Sequence, residues 1–506
     1  MEYILTKSEM QQCDQRTSAY FRMPSVVLME RAAVATVEEI EKRTAVTGRK
    51  ILIVAGSGNN GGDGIAMGRI LAQHQGHVTV CFVGDREKAT ESTRLQLEIY
   101  EKYGYELTDN IPKDEYDIII DALFGIGLNR DLQDAVRKIV DQMNEQKGLR
   151  VAVDIPSGVC ADTGSILGAA FRADLTVTFA YKKRGQIFYP GTEYCGTLIC
   201  KDMGITGESF LSEYPQMYSY QPDDIERLLP KRKKAGNKGS FGKVLMIAGS
   251  VNMSGACTLA GLSAYRTGTG LIRIVTPAKN RTILQKKLPE AVLQTYHIPL
   301  RDAESEMIAD SIQWADTLLI GPGIGQDETA MTLVHKVLHT VMNRTDKKMI
   351  MDADALNILA QEEALKELFS YRDQHSIPII MTPHLGEFAR LVGKDISTIK
   401  RDMVHVAMEY AREYKVTLVC KDARTLCTDG EKVYINQSGN DGMATAGSGD
   451  VLSGIITALA AQGMKVQEAA CLGVYLHGCA GERASIDGNT YSVMARDIIK
   501  KLGKIR

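Results

Sequence analysis

The sequence has few aromatic residues, almost no net charge and no long apolar segment. Aromatic residues make up 6% of the 506 residues, with a single Trp, and the formal net charge is −2. Such a chain lacks the basic surface and the stacking platform typical of nucleic-acid-binding proteins, and it has no general attraction to acidic membranes. No apolar run approaches about 18 residues, and no basic region with an apolar core follows Met1, so neither a membrane span nor a secretion signal is predicted. We therefore expect a cytoplasmic protein without a nucleic-acid partner.

The ten cysteines are scattered along the chain and form no CxxC pair. The closest spacings, Cys195 to Cys200 and Cys420 to Cys427, lack the additional ligands that a zinc site needs. The sequence therefore predicts buried, reduced thiols.

The length suits two to four domains, at about 100–200 residues for each. Apolar runs alternate with helical segments in both halves, and the 46 glycines fit a turn-rich α/β architecture. We expect one α/β domain over residues 1–221 and a second over residues 222–506. A basic run, Lys231–Lys234, follows this boundary and is either a solvated surface or a phosphate contact.

The first half is predicted to contain a doubly wound parallel sheet. Its apolar runs are Lys50–Ala55, His77–Val83, Tyr116–Ala122, Leu149–Ile155, Ala173–Ala180 and Gly196–Cys200. The first run ends in GSGNNGGDG, which contains a G-x-G-x-x-G and leaves a dinucleotide-binding oxidoreductase open. Asn59, Asn60 and Asp63 in this loop suit a sugar, an amide or a cation better than a simple phosphate cradle.

Polar residues also follow two later strands of this half. Asp121 ends one apolar run, while Asp154 and Ser157 follow another. Each aspartate alone could cap a helix or bind loop amides, but the carboxyl ends of parallel strands meet in one crevice. Asn60, Asp121 and Ser157 offer hard oxygen ligands, which favour an alkali or alkaline-earth cation over zinc.

The second half repeats the alternation of strands and helices. Its predicted strands are Lys243–Ala248, Leu271–Val275, Thr317–Ile320, Lys348–Met351, Ile377–Met381, Thr417–Cys420 and Lys432–Ile435. Four of these strands are followed by the motifs GPGIG, DADALN, TPHLGE and KDART. Asp352 and Asp354 could cap a helix, His384 could be a turn residue, and Lys421 could pair with a surface acid or bind a nucleotide phosphate.

The stretch GNDGMATAGSGDVLSGIITALAA, from Gly439 to Ala461, runs from a glycine-rich loop into a predicted amphipathic helix. Free N–H groups at the start of a helix favour an anion. Asp450 in the first turn either complements the helix dipole or takes a proton from an attacking hydroxyl.

The motifs GNNGGDG, DALFGIGLNRD and VDIPSGVCADTG resemble, in this order, the NAD(P)H-hydrate epimerases over most of residues 10 to 215. That family binds a monovalent cation, typically K⁺, and interconverts the epimers of hydrated NAD(P)H. The resemblance implies that Asn60, Asp121 and Ser157 hold the cation and that Asp154 transfers the proton. It implies substrate contacts for Asp154 and for Asn59, Asn60, Gly61, Gly62, Asp63, Gly125, Ile126, Gly127, Leu128, Asn129, Arg130 and Asp131.

The second half resembles the ADP- or ATP-dependent NAD(P)H-hydrate dehydratases, which have a ribokinase-like fold, over nearly all of residues 225 to 500. The matching motifs are SGACTLAGLSAYRTGTG, GPGIG, DADALN, TPHLGEFARL, KDART and NDGMATAGSGDVLSGII. The resemblance implies that Asp450 is the catalytic base, that Mg²⁺ and ADP or ATP are used, and that NADHX and NADPHX are the substrates. It implies contacts of Asp450, Ala256, Gly325 and His384 with the hydrate, and of Lys421, Asp422, Ala423, Arg424, Thr425 and Gly449 with the nucleotide.

This sequence departs from the dehydratase pattern at three positions. Asp422 stands where a Gly usually follows the lysine, and Ala446 and Ser448 replace the usual Gly and Thr. We expect a homo-oligomeric, bifunctional repair enzyme whose two halves act on the epimers of one compound. The alternatives are a ribokinase-like vitamin or sugar kinase with a fused ligand-binding domain, and a dinucleotide sensor in which one half is catalytically inactive.

Overall fold

The computed structural model describes residues 1–342, 344, 346–370, 377–486 and 488–505. It falls into two compact units, one formed by residues 2–215 and the other by Met1 with residues 216–506. Within the described residues, no helix is both long enough and apolar enough to cross a membrane. The ten cysteines are free; seven are buried, as the sequence predicts, and Cys160, Cys200 and Cys479 are half-buried.

The N-terminal unit alternates strands and helices. Its strands are β1 (Glu2–Leu5), β2 (Lys50–Gly56), β3 (His77–Val83), β4 (Leu107–Thr108), β5 (Ile118–Ala122), β6 (Leu149–Val153), β7 (Leu175–Phe179), β8 (Lys182–Lys183) and β9 (Thr197–Lys201). Its helices are α1 (Lys7–Ala19), α2 (Ser25–Glu41), α3 (Asn59–Gln73), α4 (Glu91–Lys102), α5 (Asp134–Glu145), α6 (Arg184–Ile187) and α7 (Gly191–Tyr194).

The sheet of this unit has the order β4-β3-β2-β5-β6-β7-β9, and its neighbouring strands are parallel. This is the doubly wound, Rossmann-like sheet that the apolar runs predict, and each predicted strand is present. The short strands β1, β4 and β8 were not predicted, because segments of two to four residues carry too little periodicity. The strand order reverses between β2 and β5, which is where ligands bind in open α/β sheets.

The C-terminal unit contains a second α/β layer arrangement. Its strands are β10 (Met217–Ser219), β11 (Lys243–Ile247), β12 (Leu271–Pro277), β13 (Val292–Tyr296), β14 (Thr317–Ile320), β15 (Lys348–Met351), β16 (Ile379–Met381), β17 (Thr417–Cys420), β18 (Leu426–Thr428) and β19 (Val433–Ile435). Its helices are α8 (Ile225–Leu228), α9 (Ser254–Thr267), α10 (Arg281–Lys287), α11 (Asp302–Trp314), α12 (Glu328–Val341), α13 (Asp354–Gln361), α14 (Glu363–Ser370), α15 (Leu385–Val392), α16 (Ile396–Arg401), α17 (Met403–Glu413), α18 (Ser448–Ala461), α19 (Val466–Ile486) and α20 (Ala495–Leu502).

Strands of this unit follow the order β13-β12-β11-β14-β15-β16-β17-β18-β19-β10. The pairs from β13 to β17 are parallel, whereas β18 pairs antiparallel with both β17 and β19. The predicted strands are confirmed, and β10, β13 and β18 were missed. The parallel strands deliver the four predicted motifs to one edge, because each motif follows the carboxyl end of a strand.

Helix α18 is the central helix of the C-terminal core. The prediction of an amphipathic helix is wrong, because the residues from Val451 to Ala461 are buried on every side. Ser453 and Thr457, which gave the sequence its polar stripe, are fully buried and bond to carbonyls of the preceding turn. A Cβ on Gly454 would collide with the Ala260 carbonyl and the Ser263 hydroxyl, so α9 and α18 pack backbone to backbone.

The basic run Lys231–Lys234 is exposed and lies far from the glycine-rich loop. The Arg232 guanidinium donates a hydrogen bond of 3.2 Å to the Gly268 carbonyl, just ahead of β12. The adjoining Gly242 approaches Ala461, at the last turn of α18. The glycine-rich loop precedes the first turn of this helix, about 20 Å away at 1.5 Å per residue. This separation favours the solvated surface over a contact with a phosphate held at the loop.

Candidate active sites

A cavity of about 750 Å³ opens at the strand-order reversal of the N-terminal unit. The loop after β2, the loop after β5 and the first two helices form its walls. Its lining includes Met10, Gln11, Asp14, Ser18, Ser25, Leu28, Met29, Ala32, Ser57, Gly58, Asn59, Asn60, Asp63, Phe124, Gly125, Ile126, Gly127, Leu128, Asn129, Arg130, Asp154, Phe179 and Lys183. A volume of this size suits a small organic ligand or one end of a larger one.

Most of the predicted substrate contacts lie on this cavity, but three do not. Gly61, Gly62 and Asp131 are outside its lining. A Cβ on Gly61 would collide with the Gly56 carbonyl, so this glycine allows α3 to begin directly at the end of β2. Gly62 similarly packs against Met29 and Thr93. Both glycines pack against other parts of the unit, on the side of the loop away from the cavity. In the sequence, a glycine needed for such packing looks the same as a glycine that contacts a ligand.

The three predicted cation ligands are buried, and two of them, Asp121 and Ser157, contact each other. Asp121 is fully buried and accepts hydrogen bonds from the Ser157 hydroxyl at 2.7 Å, the Ser157 N–H at 2.7 Å and the Leu123 N–H at 3.2 Å. Ser157 Oγ accepts a bond of 2.9 Å from the Phe124 N–H. Burial raises the pKa of Asp121 to about 6, against the lowering effect of these hydrogen bonds. No Lys or Arg pairs with Asp121 in the part of the chain that the structure describes.

Asp154 lies at the end of β6 with a positive φ of 64°. Its Oδ1 accepts hydrogen bonds from Lys183 Nζ at 2.5 Å and Thr178 Oγ1 at 2.9 Å, and its backbone carbonyl accepts one from Gln186 Nε2 at 2.6 Å. The Lys183 ammonium is 1% exposed. A non-glycine residue in the left-handed region costs about 1–3 kcal/mol and persists only where its surroundings hold it in place. These contacts hold Asp154 facing the cavity.

Sequence analysis missed Lys183, Thr178 and Gln186. Lys183 is the second lysine of a KK pair, and its neighbour Lys182 instead pairs with Glu2 at 3.1 Å. Two adjacent strand residues point to opposite faces, but the two-residue strand β8 gives no pattern that tells which face is buried.

The start of α18 in the C-terminal unit has the features of an anion site. Gly447 takes the left-handed conformation, with φ of 85°, and no side chain caps the helix. The N–H groups of Gly449 and Asp450 have no hydrogen-bond acceptor among the described residues. Free donors at a helix start attract an anionic group. Burial, with smaller contributions from Asp352 and Asp354, raises the pKa of Asp450 to about 7.

Lys421 joins this anion site to the end of β15. Its ammonium lies 3.0 Å from Asp352 Oδ1, and a Cβ on Gly449 would lie 3.4 Å from the same nitrogen. Burial alone would lower the pKa of Lys421, but Asp352 and Glu387 raise it, so the side chain stays charged. Of the two possibilities that the sequence left open for Lys421, pairing with a surface acid is not what the structure shows, because its partner Asp352 is buried.

The loop after β14 carries one predicted hydrate contact, Gly325, and lies close to another, Ala256. The Gly325 N–H donates to Asp354 Oδ2 at 2.9 Å. A Cβ on Gly323 would lie 2.9 Å from the Cβ of Ala256, which brings the first turn of α9 close to this loop. Between Asp352 and Asp354, Ala353 has φ of 50° and ψ of −119°. This strained residue directs the two aspartates to different partners.

His384 is the N-cap of α15 and remains exposed. Its Nδ1 accepts hydrogen bonds from the N–H groups of Gly386 at 3.0 Å and Glu387 at 3.4 Å. Burial and the nearby Lys421 lower the pKa of His384, so its neutral ring keeps the proton on Nε2, which lies 3.4 Å from Glu387 Oε1.

The rest of the KDART motif forms a partly exposed turn. Asp422 is exposed, and its Oδ2 lies 3.8 Å from the Lys400 ammonium. Thr425 Oγ1 donates to the Asp422 carbonyl at 3.2 Å, and Arg424 donates to the Gln437 carbonyl at 3.3 Å. Nucleotide contacts of residues 421 to 425 stay a prediction.

His477 of α19 is a buried residue at the anion loop that sequence analysis missed. Its Nε2 lies 3.3 Å from Ser448 Oγ. Burial and the charge of Lys421 lower the pKa of His477 to about 4, so the ring is neutral. A single histidine within a helix of buried, mostly small residues carries no sequence signal that would mark this contact.

Comparisons with known proteins agree with this pair of sites. A family model described as NAD(P)H-hydrate dehydratase matches residues 244–504, and one described as YjeF-related protein N-terminus matches residues 25–185. The bifunctional NAD(P)H-hydrate repair enzyme of Moorella thermoacetica is 37% identical over 518 residues, which cover 98% of this chain and 95% of that protein. The chain belongs to the bifunctional NAD(P)H-hydrate repair enzyme family.

Further similarities are consistent with membership of the bifunctional NAD(P)H-hydrate repair enzyme family. The enzyme of this name from Escherichia coli is 32% identical and aligns with 90% of this chain and 85% of its own length. The solved structure of a ribokinase-like superfamily protein from Enterococcus faecalis is 27% identical, with a TM-score of 0.51 over 57% of this chain and 95% of that chain. The predicted family and both predicted fold types are confirmed. Membership over nearly the full length leaves the oxidoreductase and the vitamin or sugar kinase without support.

Proposed function

We propose that this chain repairs hydrated NAD(P)H in two reactions. The N-terminal unit interconverts the R and S epimers of NADHX and NADPHX. The C-terminal unit dehydrates the S epimer at the expense of ADP or ATP, releasing AMP and phosphate if ADP is used. The observation that carries the proposal is the arrangement at α18, where a carboxylate with a pKa of about 7 adjoins two free N–H donors.

The dehydration follows from this arrangement. Asp450 takes the proton of the ring hydroxyl, and the freed oxygen attacks the terminal phosphoryl group of the nucleotide. The N–H groups of Gly449 and Asp450, together with the Lys421 ammonium, stabilise the negative charge that develops on this group. The phosphorylated hydroxyl is a good leaving group. Phosphate departs with its oxygen, the adjacent ring carbon loses a proton to water, and the ring double bond of NAD(P)H is restored.

Mg²⁺ fits this site as a companion of the nucleotide. The carboxylate of Asp352 is paired with Lys421, and that of Asp354 accepts from Gly325, so the described residues offer no cage of several free carboxylates here. Mg²⁺ commonly keeps several waters and binds substrate phosphates through few protein ligands. When bound, it would neutralise phosphate charge during the transfer.

The N-terminal reaction inverts a carbon that carries a hydroxyl and the ring nitrogen, and this inversion needs reversible proton transfer. Asp154 suits this role because Oδ1 is held by Lys183 and Thr178 while the side chain lines the cavity. Asn59, Asn60, Asp63 and the loop from Gly125 to Arg130 supply amide, carboxyl and backbone groups around the hydrated ring. The assignment of these residues to substrate contacts rests on the cavity together with family membership.

K⁺ fits the buried group beneath this cavity. Asp121 and Ser157 each keep a lone pair after their hydrogen bonds within the chain are counted. Asn60 is 8% exposed, and its Nδ2 has no hydrogen-bond partner among the described residues. Rotating the terminal amide places its carbonyl oxygen, a cation ligand, in this unpaired position. A bound monovalent cation would compensate the buried Asp121 charge and order the loops after β2 and β5.

One assay tests both activities. The purified chain receives a mixture of NADHX epimers with Mg²⁺, K⁺ and either ADP or ATP, and the recovery of NADH absorbance is followed. We expect recovery of more than half of the material, because epimerisation feeds the dehydratase. No recovery with either nucleotide would refute the proposal. Recovery that stops when the S epimer is exhausted would refute the epimerase activity alone.

A further inference from the structure

Helix α1 presents a polar stripe to the N-terminal cavity that has not yet been given a role. Gln11, Asp14 and Ser18 follow the spacing of one helix face, and each lines the cavity. The neighbouring stripe of Met10, Cys13 and Thr17 is buried in the unit and fixes the rotation of the helix. These residues precede positions 25–185, the part that the N-terminal family model matches.

Asp14 is the acidic member of this stripe. It is half-buried, and its carboxyl group has no hydrogen-bond partner among the residues that the structure describes. Burial raises the pKa of Asp14 to about 6; the Lys183 charge opposes this shift, and the Asp154 charge adds to it. A half-buried carboxyl without a partner in the chain is costly unless a ligand or a proton satisfies it.

The groups around Asp154 supply the cavity with a base, Asp154 itself, but none of them can donate a proton to the substrate. The Lys183 ammonium has three protons, and three acceptors already take them: Asp154 Oδ1 at 2.5 Å, Thr178 Oγ1 at 2.9 Å and the Phe179 carbonyl at 3.2 Å. Lys183 therefore positions Asp154 and has no proton directed at a substrate. The contacts of the Asp154 side chain within the chain converge on Oδ1, which leaves Oδ2 for the ligand.

Asp63 is the other carboxyl group on this cavity, but it is a poor proton donor. Burial, with the charges of Asp154 and Asp14, holds the pKa of Asp63 well above its usual range. It therefore keeps its proton and suits a hydrogen bond to a substrate oxygen. Asp14 is the remaining carboxyl group that lines the cavity and can both give and take a proton near neutral pH.

We propose that Asp14 is the second catalytic residue of the epimerisation, acting as the acid that complements the base Asp154. This inference rests on the proposed epimerase function. Asp154 takes the hydroxyl proton as the bond between that carbon and the ring nitrogen breaks, and Asp14 gives its proton to the nitrogen. The carbon becomes an aldehyde carbon, and rotation of the aldehyde presents its other face to the ring nitrogen. Asp14 then retakes its proton from the nitrogen as the bond reforms, and Asp154 returns its proton to the oxygen, so no atom is gained or lost.

Asp14→Asn tests this role, because it keeps the size of the side chain and removes its acidic proton. The variant receives the purified R epimer with Mg²⁺, K⁺ and ADP or ATP, and a parallel sample receives the S epimer. We expect kcat for the R epimer to fall at least 100-fold with KM changed less than threefold. Turnover of the S epimer, which needs the C-terminal unit alone, should stay within twofold of wild type.

Two further variants separate catalysis from packing. Gln15→Ala changes an exposed neighbour on the same helix, away from the cavity, and should leave both rates unchanged. Asp14→Glu restores a carboxyl group and should recover at least a tenth of the wild-type rate, whereas a loss caused by packing would not recover. An R-epimer rate within threefold of wild type in Asp14→Asn, or a loss confined to KM, would overturn the inference. A wild-type chain that consumes S but never R would instead refute the epimerase function itself.

Discussion

Lys421 and Asp352 form a buried ion pair, with the ammonium 3.0 Å from Oδ1, directly beside the start of α18. Asp352 is 2% exposed and Lys421 is 19% exposed at the side chain. The pair places one positive charge beside Gly449 while Asp352 compensates it before a ligand binds. This edge of the sheet therefore carries a positive charge that could meet an anionic ligand, and Lys421 is paired with Asp352 before any ligand binds.

Replacement of Lys421 by Met should impair both folding and turnover. It leaves the Asp352 carboxylate buried without its partner, and breaking a buried pair costs about 3–5 kcal/mol. We also expect the S-epimer rate to fall at least 100-fold, because a cation beside the transferring phosphoryl group is lost. Urea unfolding and NADH recovery measure the two effects. Lys432→Met, at an exposed lysine of the same unit, should change neither by more than about 0.5 kcal/mol or twofold.

The rate of dehydration should depend on pH through Asp450. The base acts when ionised, and its pKa is raised from 3.8 to about 7. Below this value the ionised fraction falls tenfold for each pH unit, so kcat for the S epimer should fall with it and level off above about pH 7.5. Measurements at saturating nucleotide from pH 5 to 9 test this expectation. A kcat that stays flat between pH 5 and 7 would contradict the assignment of Asp450 as the base.

Asp450 should also reduce stability when it ionises. Because its folded pKa lies above its unfolded value, the folded state keeps a proton that the unfolded state releases. The stability contribution is therefore present below about pH 4 and is lost as pH rises through about 7. Asp450→Asn should be more stable than wild type at pH 8, by at most about 4 kcal/mol, and the difference should shrink at pH 5. Thermal unfolding at the two pH values checks the sign, and an equal difference at both would contradict it.

The sequence allowed the strands and the catalytic edges to be predicted because both follow simple rules. Buried parallel strands are apolar runs, and polar loop residues after such runs meet at one edge. Asp121, Asp154, Asp352 and Lys421 could therefore be placed before any contact was known. The same reasoning could not distinguish Gly61, which packs behind the loop, from glycines that face the cavity.

Contacts supplied from distant elements could not be predicted. Lys183 reaches Asp154 across 29 positions, and His477 reaches Ser448 across the same separation. Neither residue belongs to a motif, and their burial depends on how a short strand and a long helix pack. The prediction that α18 has an exposed polar face failed for a similar reason. The hydroxyls of Ser453 and Thr457 donate hydrogen bonds to carbonyls within the helix, so both side chains can be buried.

Removal of K⁺ should affect the two reactions differently. The buried group of Asn60, Asp121 and Ser157 belongs to the N-terminal unit, so exchange into a tetramethylammonium buffer should slow R-epimer consumption at least tenfold. S-epimer turnover should change much less. Asp121→Asn should make the R-epimer rate low and independent of K⁺, because a carboxamide at this position lacks the negative charge that the cation balances. An R-epimer rate that is equal with and without K⁺ in wild type would refute the cation site.

Gly454 allows the close packing of α9 and α18, so its substitution should alter the position of the glycine-rich loop at the start of α18. A Cβ there meets the Ala260 carbonyl and the Ser263 hydroxyl, and neither can move without shifting α9. We expect Gly454→Ala to cost about 1–3 kcal/mol of unfolding free energy and to raise KM for the nucleotide several-fold, because the start of α18 shifts with the helix.

Gly255→Ala is the matched control: it adds a Cβ to α9 where nothing lies within 4 Å. It should be neutral or stabilising by up to about 1 kcal/mol, since alanine is the better helix former. If both variants unfold at the wild-type urea concentration, backbone-to-backbone packing does not hold the anion loop in place.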